Sequence, residues 1–164
     1  MFPPPLPDRA ARLVGACRAR SLVLATAESC TGGLLAALLT EVPGSSAALD
    51  RGFVTYSNDA KAQMLGVPPA LIATEGAVSE AVALAMATGV LTHSAADIAV
   101  SITGVAGPGG GTALKPVGLV HFACARRGGA STTLERRFGD IGRSAVRLAS
   151  VAQALDLLEA AVSC

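Results

Sequence analysis

A serine, a lysine and a tyrosine stand at the ends of two neighbouring predicted strands, where together they could perform acyl transfer. Ser29 lies in the stretch ATAESCTGG, directly after an apolar run, and the next predicted strand leads into Tyr56 and Lys61. A serine hydroxyl becomes a nucleophile only when a base takes its proton, and serine–lysine pairs are a recognised solution. Lysine can be that base once desolvation or the field of a helix N-terminus lowers its pKa. We therefore predict a nucleophile at Ser29, assisted by Lys61 and Tyr56.

The turn after Ser29 has the composition of an oxyanion site. Unpaired backbone N–H groups at the start of a helix can stabilise negative charge, and glycines let a substrate approach the backbone closely. The residues that would supply them are Cys30, Thr31, Gly32 and Gly33. The alternative is structural: Ser29 or Thr31 caps the helix, and Lys61 is an ordinary solvated lysine.

Other candidate nucleophiles and bases fit this chemistry less well. Cys30 is a rival because a helix N-terminus lowers the pKa of a thiol, but neighbours on a tight turn point in different directions. His93 is predicted near the end of a helix and His121 on the face of a strand, so neither makes a convincing triad. The four cysteines lack CxxC spacing and the two histidines are isolated, so we expect no metal site.

A second candidate binding segment is the glycine-rich stretch TGVAGPGGGTALKPVG, residues 103–118. It matches neither the dinucleotide-binding nor the P-loop pattern of glycines. Its successive N–H groups could still form an anion-binding nest, and the alternative is a mobile connector. The residues that would form the nest are Gly109, Gly110, Gly111, Thr112 and Lys115. Thr103 and Gly104, at the end of the preceding strand, could line the pocket instead.

These side chains need a scaffold, and the alternation of predicted strands and helices supplies one. Strands over 21–27, 51–57 and 97–104 are separated by helical segments, which implies parallel pairing. Two later strands flank Gly128-Gly129, a hairpin signal. We predict a three-layer α/β/α sandwich on a mixed, mainly parallel sheet with one antiparallel strand. Further helices are predicted over 10–20, 31–40, 58–66, 79–91 and 143–162. Asn58 is the predicted N-cap of the third of these helices, which Gly66 and Pro68 end, and Ser79 opens the fourth.

Length and composition narrow the class of protein. The 164 residues fit one domain, 1–164, with a proline-rich extended arm over 1–7. A net charge of +1 and an aromatic content of 3% do not favour nucleic acid or a membrane surface as a partner. The N-terminus lacks the regions of a signal peptide, and we expect a cytoplasmic location.

Several stretches, in this order and spacing, resemble the CinA C-terminal domain family. The resemblance runs from about Asp8 to Leu158 and implies hydrolysis of the carboxamide of nicotinamide mononucleotide (NMN) to nicotinic acid mononucleotide and ammonia, without a cofactor or metal. It implies Ser29 as nucleophile, assistance by Lys61 and Tyr56, and a homodimer or larger homo-oligomer. The stretches are TAESCTGG (26–33), GSSAALDRGFVTYSNDAKAQMLGV (44–67), EGAVSE (75–80), SITGVAGPGGG (101–111) and KPVGLVHFA (115–123).

One stretch departs from the family pattern. FGDIGRSAVR (138–147) places Ile141 and Gly142 between Asp140 and Arg143, where the family has the aspartate next to the arginine. This departure leaves open whether Arg143 contacts a phosphate. The alternative function is that of a catalytically silent nucleotide-binding or interaction module of the same family. The expected substrate contacts are Glu28, Cys30, Thr31, Gly32, Gly33, Thr103, Gly104, Gly109, Gly110, Gly111, Lys115 and Arg143.

Overall fold

A five-stranded sheet with helices on both faces organises residues 2–164, the part of the chain that the computed structural model describes. In chain order the elements are α1 (Leu6–Ala19), β1 (Leu24–Glu28), α2 (Leu34–Thr40), a short 3₁₀ helix (Ser45–Ala47), β2 (Leu49–Val54), α3 (Asn58–Leu65), α4 (Pro69–Glu75), α5 (Glu80–Thr92), β3 (Ile98–Gly104), β4 (Leu119–Arg126), β5 (Ser131–Arg137) and α6 (Arg143–Ser163).

The strands are ordered β2-β1-β3-β4-β5 across the sheet. β1 pairs in parallel with β2 and β3, whereas β4 is antiparallel to both β3 and β5. Within residues 2–164, β4 is thus the one strand that runs against the others, and the prediction for the sheet is confirmed. At the end of β1, Glu28 lies between Val54 of β2 and Ile102 of β3. The carboxyl ends of three parallel strands therefore meet at one edge.

Alternation of side chains along the strands divides the core between the two faces. Leu24, Ile98 and Phe122 point into the larger core, which α1, α2 and α6 cover. Ala25 and Ala99 point to the other side, where small side chains let α5 approach the sheet closely. The predicted three-layer sandwich is confirmed by these two cores.

A close contact between α5 and α3 fixes the position of α3, the helix that carries Lys61. Gly89 in α5 has no space for a side chain, because a Cβ there would lie 2.1 Å from the carbonyl oxygen of Leu65. This packing accounts for a glycine inside a helix, where it is otherwise unfavourable.

The N-terminal arm and the region after α3 differ from the predictions. The arm is shorter than 1–7, since α1 begins at Leu6, which is buried; Met1 lies outside the described residues. The helix α4 was not predicted, because Gly66 and Pro68 were read only as the end of α3. Pro69 instead occupies the first turn of α4, where a missing N–H costs nothing.

The predicted caps are partly confirmed. Ser79 caps α5 by accepting a hydrogen bond from Val82 N at 3.3 Å, and Gly66 ends α3 in the left-handed region. The N-cap of α3 is Ser57 rather than Asn58: its side chain accepts a hydrogen bond from Ala60 N at 3.0 Å. Among residues 2–164, none of the helices combines the length and the apolar character needed to cross a bilayer.

Candidate active site

A cavity of about 320 Å³ opens at the sheet edge where β1, β2 and β3 end. The segments after these strands form its walls, together with the first turns of α3 and α6. Ala77 and Val78, which precede α5, also line it and were not predicted. Of the predicted site residues, those that line the cavity are Ser29, Cys30, Tyr56, Lys61, Thr103, Gly104, Gly109, Gly110 and Arg143.

Ser29 and Lys61 form a close pair within this cavity. Lys61 Nζ lies 3.0 Å from Ser29 Oγ and donates a hydrogen bond to the carbonyl of Thr55, also at 3.0 Å. Only 1% of Lys61 is exposed, and it takes part in no ion pair within residues 2–164. Burial lowers the pKa of the Lys61 ammonium, because the charged form is poorly solvated there. The arrangement can bring an unprotonated amine to a serine hydroxyl.

The turn that carries Ser29, residues 29–33, is called the elbow below. Ser29 N donates to the carbonyl of Ile102 at 3.0 Å, which ties the elbow to β3. Gly32 N donates to the carbonyl of Ser29 at 3.0 Å and closes the turn. Gly32 and Gly33 have φ of +59° and +96°, so α2 begins only at Leu34, three residues later than predicted.

The N-terminus of α2 is occupied by Glu28, a residue expected to contact the substrate. Its carboxylate accepts hydrogen bonds from Leu35 N at 3.0 Å and Ala36 N at 2.9 Å, and it is 1% exposed. Glu28 lies outside the cavity lining, as do Thr31, Gly32 and Gly33. The first turn of α2 is thus capped by Glu28. Within the elbow, the amides of Cys30, Thr31 and Gly33 have no backbone acceptor in the described chain.

Arg147 holds the elbow from α6, a contact that the sequence did not indicate. Its Nε donates to the carbonyl of Cys30 at 3.1 Å, and its Nη2 to that of Thr31 at 2.9 Å. The neighbouring thiol of Cys30 is 6% exposed, and burial raises its pKa to about 11. A thiolate is therefore disfavoured at Cys30, in contrast to the lowered pKa that its place near a helix start suggested.

Arg143 lies at the mouth of the cavity and bridges two of its walls. One guanidinium nitrogen donates to the Tyr56 hydroxyl and another to the carbonyl of Gly107, each at 2.8 Å. No carboxylate in residues 2–164 pairs with Arg143, so its charge remains available. Tyr56 is 61% exposed, and its hydroxyl bonds to Arg143 rather than to Ser29 or Lys61.

The glycine-rich loop divides into a part that faces the cavity and a part that does not. Gly109 and Gly110 line the cavity, whereas Gly111 and Lys115 do not. Lys115 Nζ donates to the carbonyl of Glu75 at 2.6 Å, and the backbone N–H and side-chain oxygen of Thr112 bond back to Lys115. At this end of the loop, Thr112 and Lys115 thus bond to each other and to Glu75 rather than to groups of the cavity, and the anion-binding role of the glycines stays a prediction.

Thr103 and the two histidines serve local structure. Thr103 lines the cavity, and its hydroxyl donates to the carbonyl of Ala77 at 2.8 Å, which holds the loop before α5. His93 Nδ1 lies 2.8 Å from the Gly89 carbonyl, and His121 Nε2 lies 3.7 Å from Glu135. Neither histidine lines the cavity, and no group of His, Cys, Asp and Glu in the described chain could hold a metal ion.

Known proteins resemble this chain both in sequence and in fold. The nicotinamide-nucleotide amidohydrolase PncC of Escherichia coli K12 is 53% identical over 87% of this chain and 86% of its own length. A CinA-like protein of Mycobacterium marinum is 55% identical over 85% of the chain, which spans only 33% of that longer protein.

Solved structures agree with these relatives. The competence/damage inducible protein CihA of Agrobacterium tumefaciens superposes with a TM-score of 0.97 at 52% identity, covering 100% of this chain and 99% of that one. A CinA superfamily protein of Escherichia coli gives 0.89 at 36% identity, over 94% and 88% of the two chains. The family model of the CinA C-terminal domain matches residues 7–162. The chain therefore belongs to the CinA C-terminal domain family.

Proposed function

We propose that this protein is an NMN amidohydrolase that converts the carboxamide of NMN to a carboxylate and releases ammonia. The observation that carries the proposal is the Ser29–Lys61 pair, 3.0 Å apart at the cavity, with the lysine buried and in no ion pair within residues 2–164. The likeness to a nicotinamide-nucleotide amidohydrolase over 87% of the chain supports the choice of substrate.

The reaction would proceed through an acyl-enzyme on Ser29. Neutral Lys61 takes the hydroxyl proton as Ser29 Oγ attacks the carboxamide carbon, and the carbonyl of Thr55 holds the amine in place. Collapse of the tetrahedral intermediate breaks the C–N bond, and Lys61 gives its proton to the departing amide nitrogen, which leaves as ammonia. Lys61 then takes a proton from water, whose oxygen attacks the ester carbon. The resulting acid departs, and Ser29 recovers its proton.

The elbow would stabilise the negative oxygen of both tetrahedral intermediates. Backbone N–H groups that are fixed in place are effective donors to such an oxygen, because they need no rearrangement during the reaction. The amide of Cys30 is the candidate, because Cys30 lines the cavity whereas Thr31 and Gly33 do not, and the amide of Gly32 already bonds to Ser29. A substrate carboxamide beside Ser29 Oγ would lie next to this group.

The part of the cavity beside Arg143 would hold the phosphate of NMN. Arg143 presents an unpaired guanidinium at the mouth, and guanidinium groups bind phosphate in a bidentate manner. Gly109 and Gly110 also line the cavity and allow close approach. Tyr56 assists by positioning the nucleotide, with its hydroxyl held by Arg143. Although Ile141 and Gly142 separate Asp140 from Arg143, the Arg143 guanidinium still bonds to Tyr56.

The test is to incubate the purified protein with NMN and measure ammonia and nicotinic acid mononucleotide in equal amounts. Ser29→Ala should lower kcat by about three orders of magnitude or more, because nucleophile and base act as a unit. Ser144→Ala, an exposed serine on α6, is the matched control and should retain full activity.

Two outcomes would contradict the proposal. Turnover by Ser29→Ala near the wild-type rate would exclude Ser29 as the nucleophile. NMN binding by the wild type without release of ammonia would instead indicate the silent nucleotide-binding module.

We further propose that the protein acts in the cytoplasm as a homo-oligomer. The resemblance to family members that associate supports this, as do three exposed apolar side chains near the cavity mouth or on the adjacent loop: Val54, Leu114 and Ile141. All four cysteines are free thiols, which suits a reducing compartment. Light scattering after size exclusion should give at least twice the mass of one chain; a monomer at micromolar concentration would refute the association.

A further inference from the structure

The guanidinium of Arg147 bonds two successive carbonyls of the elbow, those of Cys30 and Thr31. Arg147 is half-buried and takes no part in an ion pair within residues 2–164, so these carbonyls receive its donors without competition from a carboxylate. It does not line the cavity, whereas Ser29 and Cys30 do. Arg147 therefore contacts the elbow from the side away from the cavity.

The planarity of the peptide bond transmits this contact to the reactive side. In a trans peptide the C=O and N–H point in opposite directions, so a carbonyl held by Arg147 directs the next residue's N–H away from it. The Cys30 carbonyl thereby orients the amide of Thr31, and the Thr31 carbonyl orients that of Gly32. The Gly32 amide closes the turn on Ser29, and the Thr31 amide is left without a backbone acceptor in the described chain.

A positive charge on the carbonyl side also makes these N–H groups better donors. Hydrogen bonds in a chain polarise one another, and a charged donor such as a guanidinium forms stronger hydrogen bonds than a neutral one. The elbow needs such support because Gly32 and Gly33 both have positive φ and no side chain to fix them. Arg147 lies one helical turn after Arg143, so α6 lines the cavity with Arg143 and contacts the elbow with Arg147.

We infer that Arg147 is a positioning residue for the reaction: through the carbonyls of Cys30 and Thr31 it fixes the elbow, so that Ser29 Oγ stays beside Lys61 Nζ and faces the substrate carbon in the cavity. This inference depends on the proposed function for its substrate, but not for the reactivity of Ser29, which can be measured separately. Arg147 would act on the transition state rather than on substrate affinity.

The experiment compares Arg147→Gln and Arg147→Lys with the wild type in NMN hydrolysis. The matched control is Arg126→Gln, because Arg126 also donates to a backbone carbonyl, that of Ala161 at 2.8 Å, at the opposite edge of the sheet. Arg147→Gln should lose on the order of 10- to 100-fold in kcat, the cost of a displacement of about 1 Å at a reacting group, with KM within about threefold. Arg147→Lys, which retains the charge, should recover part of the loss.

Two further readouts separate positioning from stability. The Tm of Arg147→Gln should fall no more than that of Arg126→Gln, whose kcat should be unchanged. The pH midpoint of the rate should stay where it is in the wild type, because Arg147 bonds to the elbow and not to Lys61. A rise in KM with unchanged kcat, or a kcat that follows Tm in both variants, would overturn the inference.

Covalent labelling distinguishes a failure of this inference from a failure of the proposed function. A fluorophosphonate probe should acylate Ser29 more slowly in Arg147→Gln than in the wild type, as read by peptide mass spectrometry. If the wild type does not hydrolyse NMN but shows this difference, the substrate assignment fails and the role of Arg147 stands. Equal labelling of both proteins, or none in the wild type, would refute the positioning role.

Discussion

Replacement of Glu28 tests whether this carboxylate is a helix cap or a substrate contact. The sequence placed it in the substrate site, whereas the structure directs both oxygens to the first turn of α2, at 3.0 Å from Leu35 N and 2.9 Å from Ala36 N. Glu28→Gln retains one acceptor oxygen and turns an NH₂ group towards the other amide. Glu28→Ala leaves both buried amides without a partner.

The expected losses follow from these two bonds. A hydrogen bond to a charged group contributes about 1.5–3 kcal/mol, so Glu28→Gln should lower the free energy of unfolding by about 2–3 kcal/mol. Glu28→Ala also removes buried side-chain volume and should cost about 3–5 kcal/mol, a large part of the roughly 5–15 kcal/mol that stabilises a domain. At about 2–4 °C per kcal/mol for a chain of this size, Glu28→Gln should lower Tm by roughly 4–12 °C.

The assay pairs thermal unfolding with NMN hydrolysis measured well below the Tm of each variant. Glu41→Gln is the matched control: Glu41 is exposed at the other end of the same helix, and its replacement should change stability by less than about 0.5 kcal/mol. KM of Glu28→Gln should stay within about twofold of the wild type, since the carboxylate does not line the cavity. A tenfold rise in KM with an unchanged Tm would refute the helix-cap assignment.

Three further predictions concern the cavity. Lys61→Arg should be nearly as inactive as Lys61→Ala, since a guanidinium cannot act as a base. The wild-type rate should rise with pH through the Lys61 pKa, which burial lowers, because the deprotonated amine is the active form. An active Lys61→Arg would exclude this role. Arg143→Gln should raise KM for NMN about tenfold or more and leave KM for nicotinamide riboside, which lacks the phosphate, unchanged. Replacement of the exposed Arg136 by Gln is the control. Equal effects on both substrates would argue against a phosphate contact. Activity should survive dialysis against EDTA, and a loss that zinc or magnesium reverses would contradict a mechanism built on Ser29 and Lys61 alone.

The sequence by itself determined the layered fold and the segments that meet at its active edge. The alternation of strands and helices, the hairpin at Gly128-Gly129 and the caps at Ser79 and Gly66 are local signals, each carried by residues close in the chain. Parallel pairing of β1 and β2 then brings their carboxyl ends together, so the proximity of Ser29 to Lys61 could be anticipated.

Only the tertiary structure decided which side chains at that edge face the cavity. Glu28 turns to α2 because the glycine φ values delay the helix and leave its first amides within reach of β1. Arg147 reaches Thr31 of the elbow across 116 residues of sequence, and Arg143 meets Tyr56 across 87. Such contacts depend on how α6 packs against the sheet. Local residue patterns specify the elements, but the direction of a side chain past the end of a strand is set by the neighbours that packing places beside it.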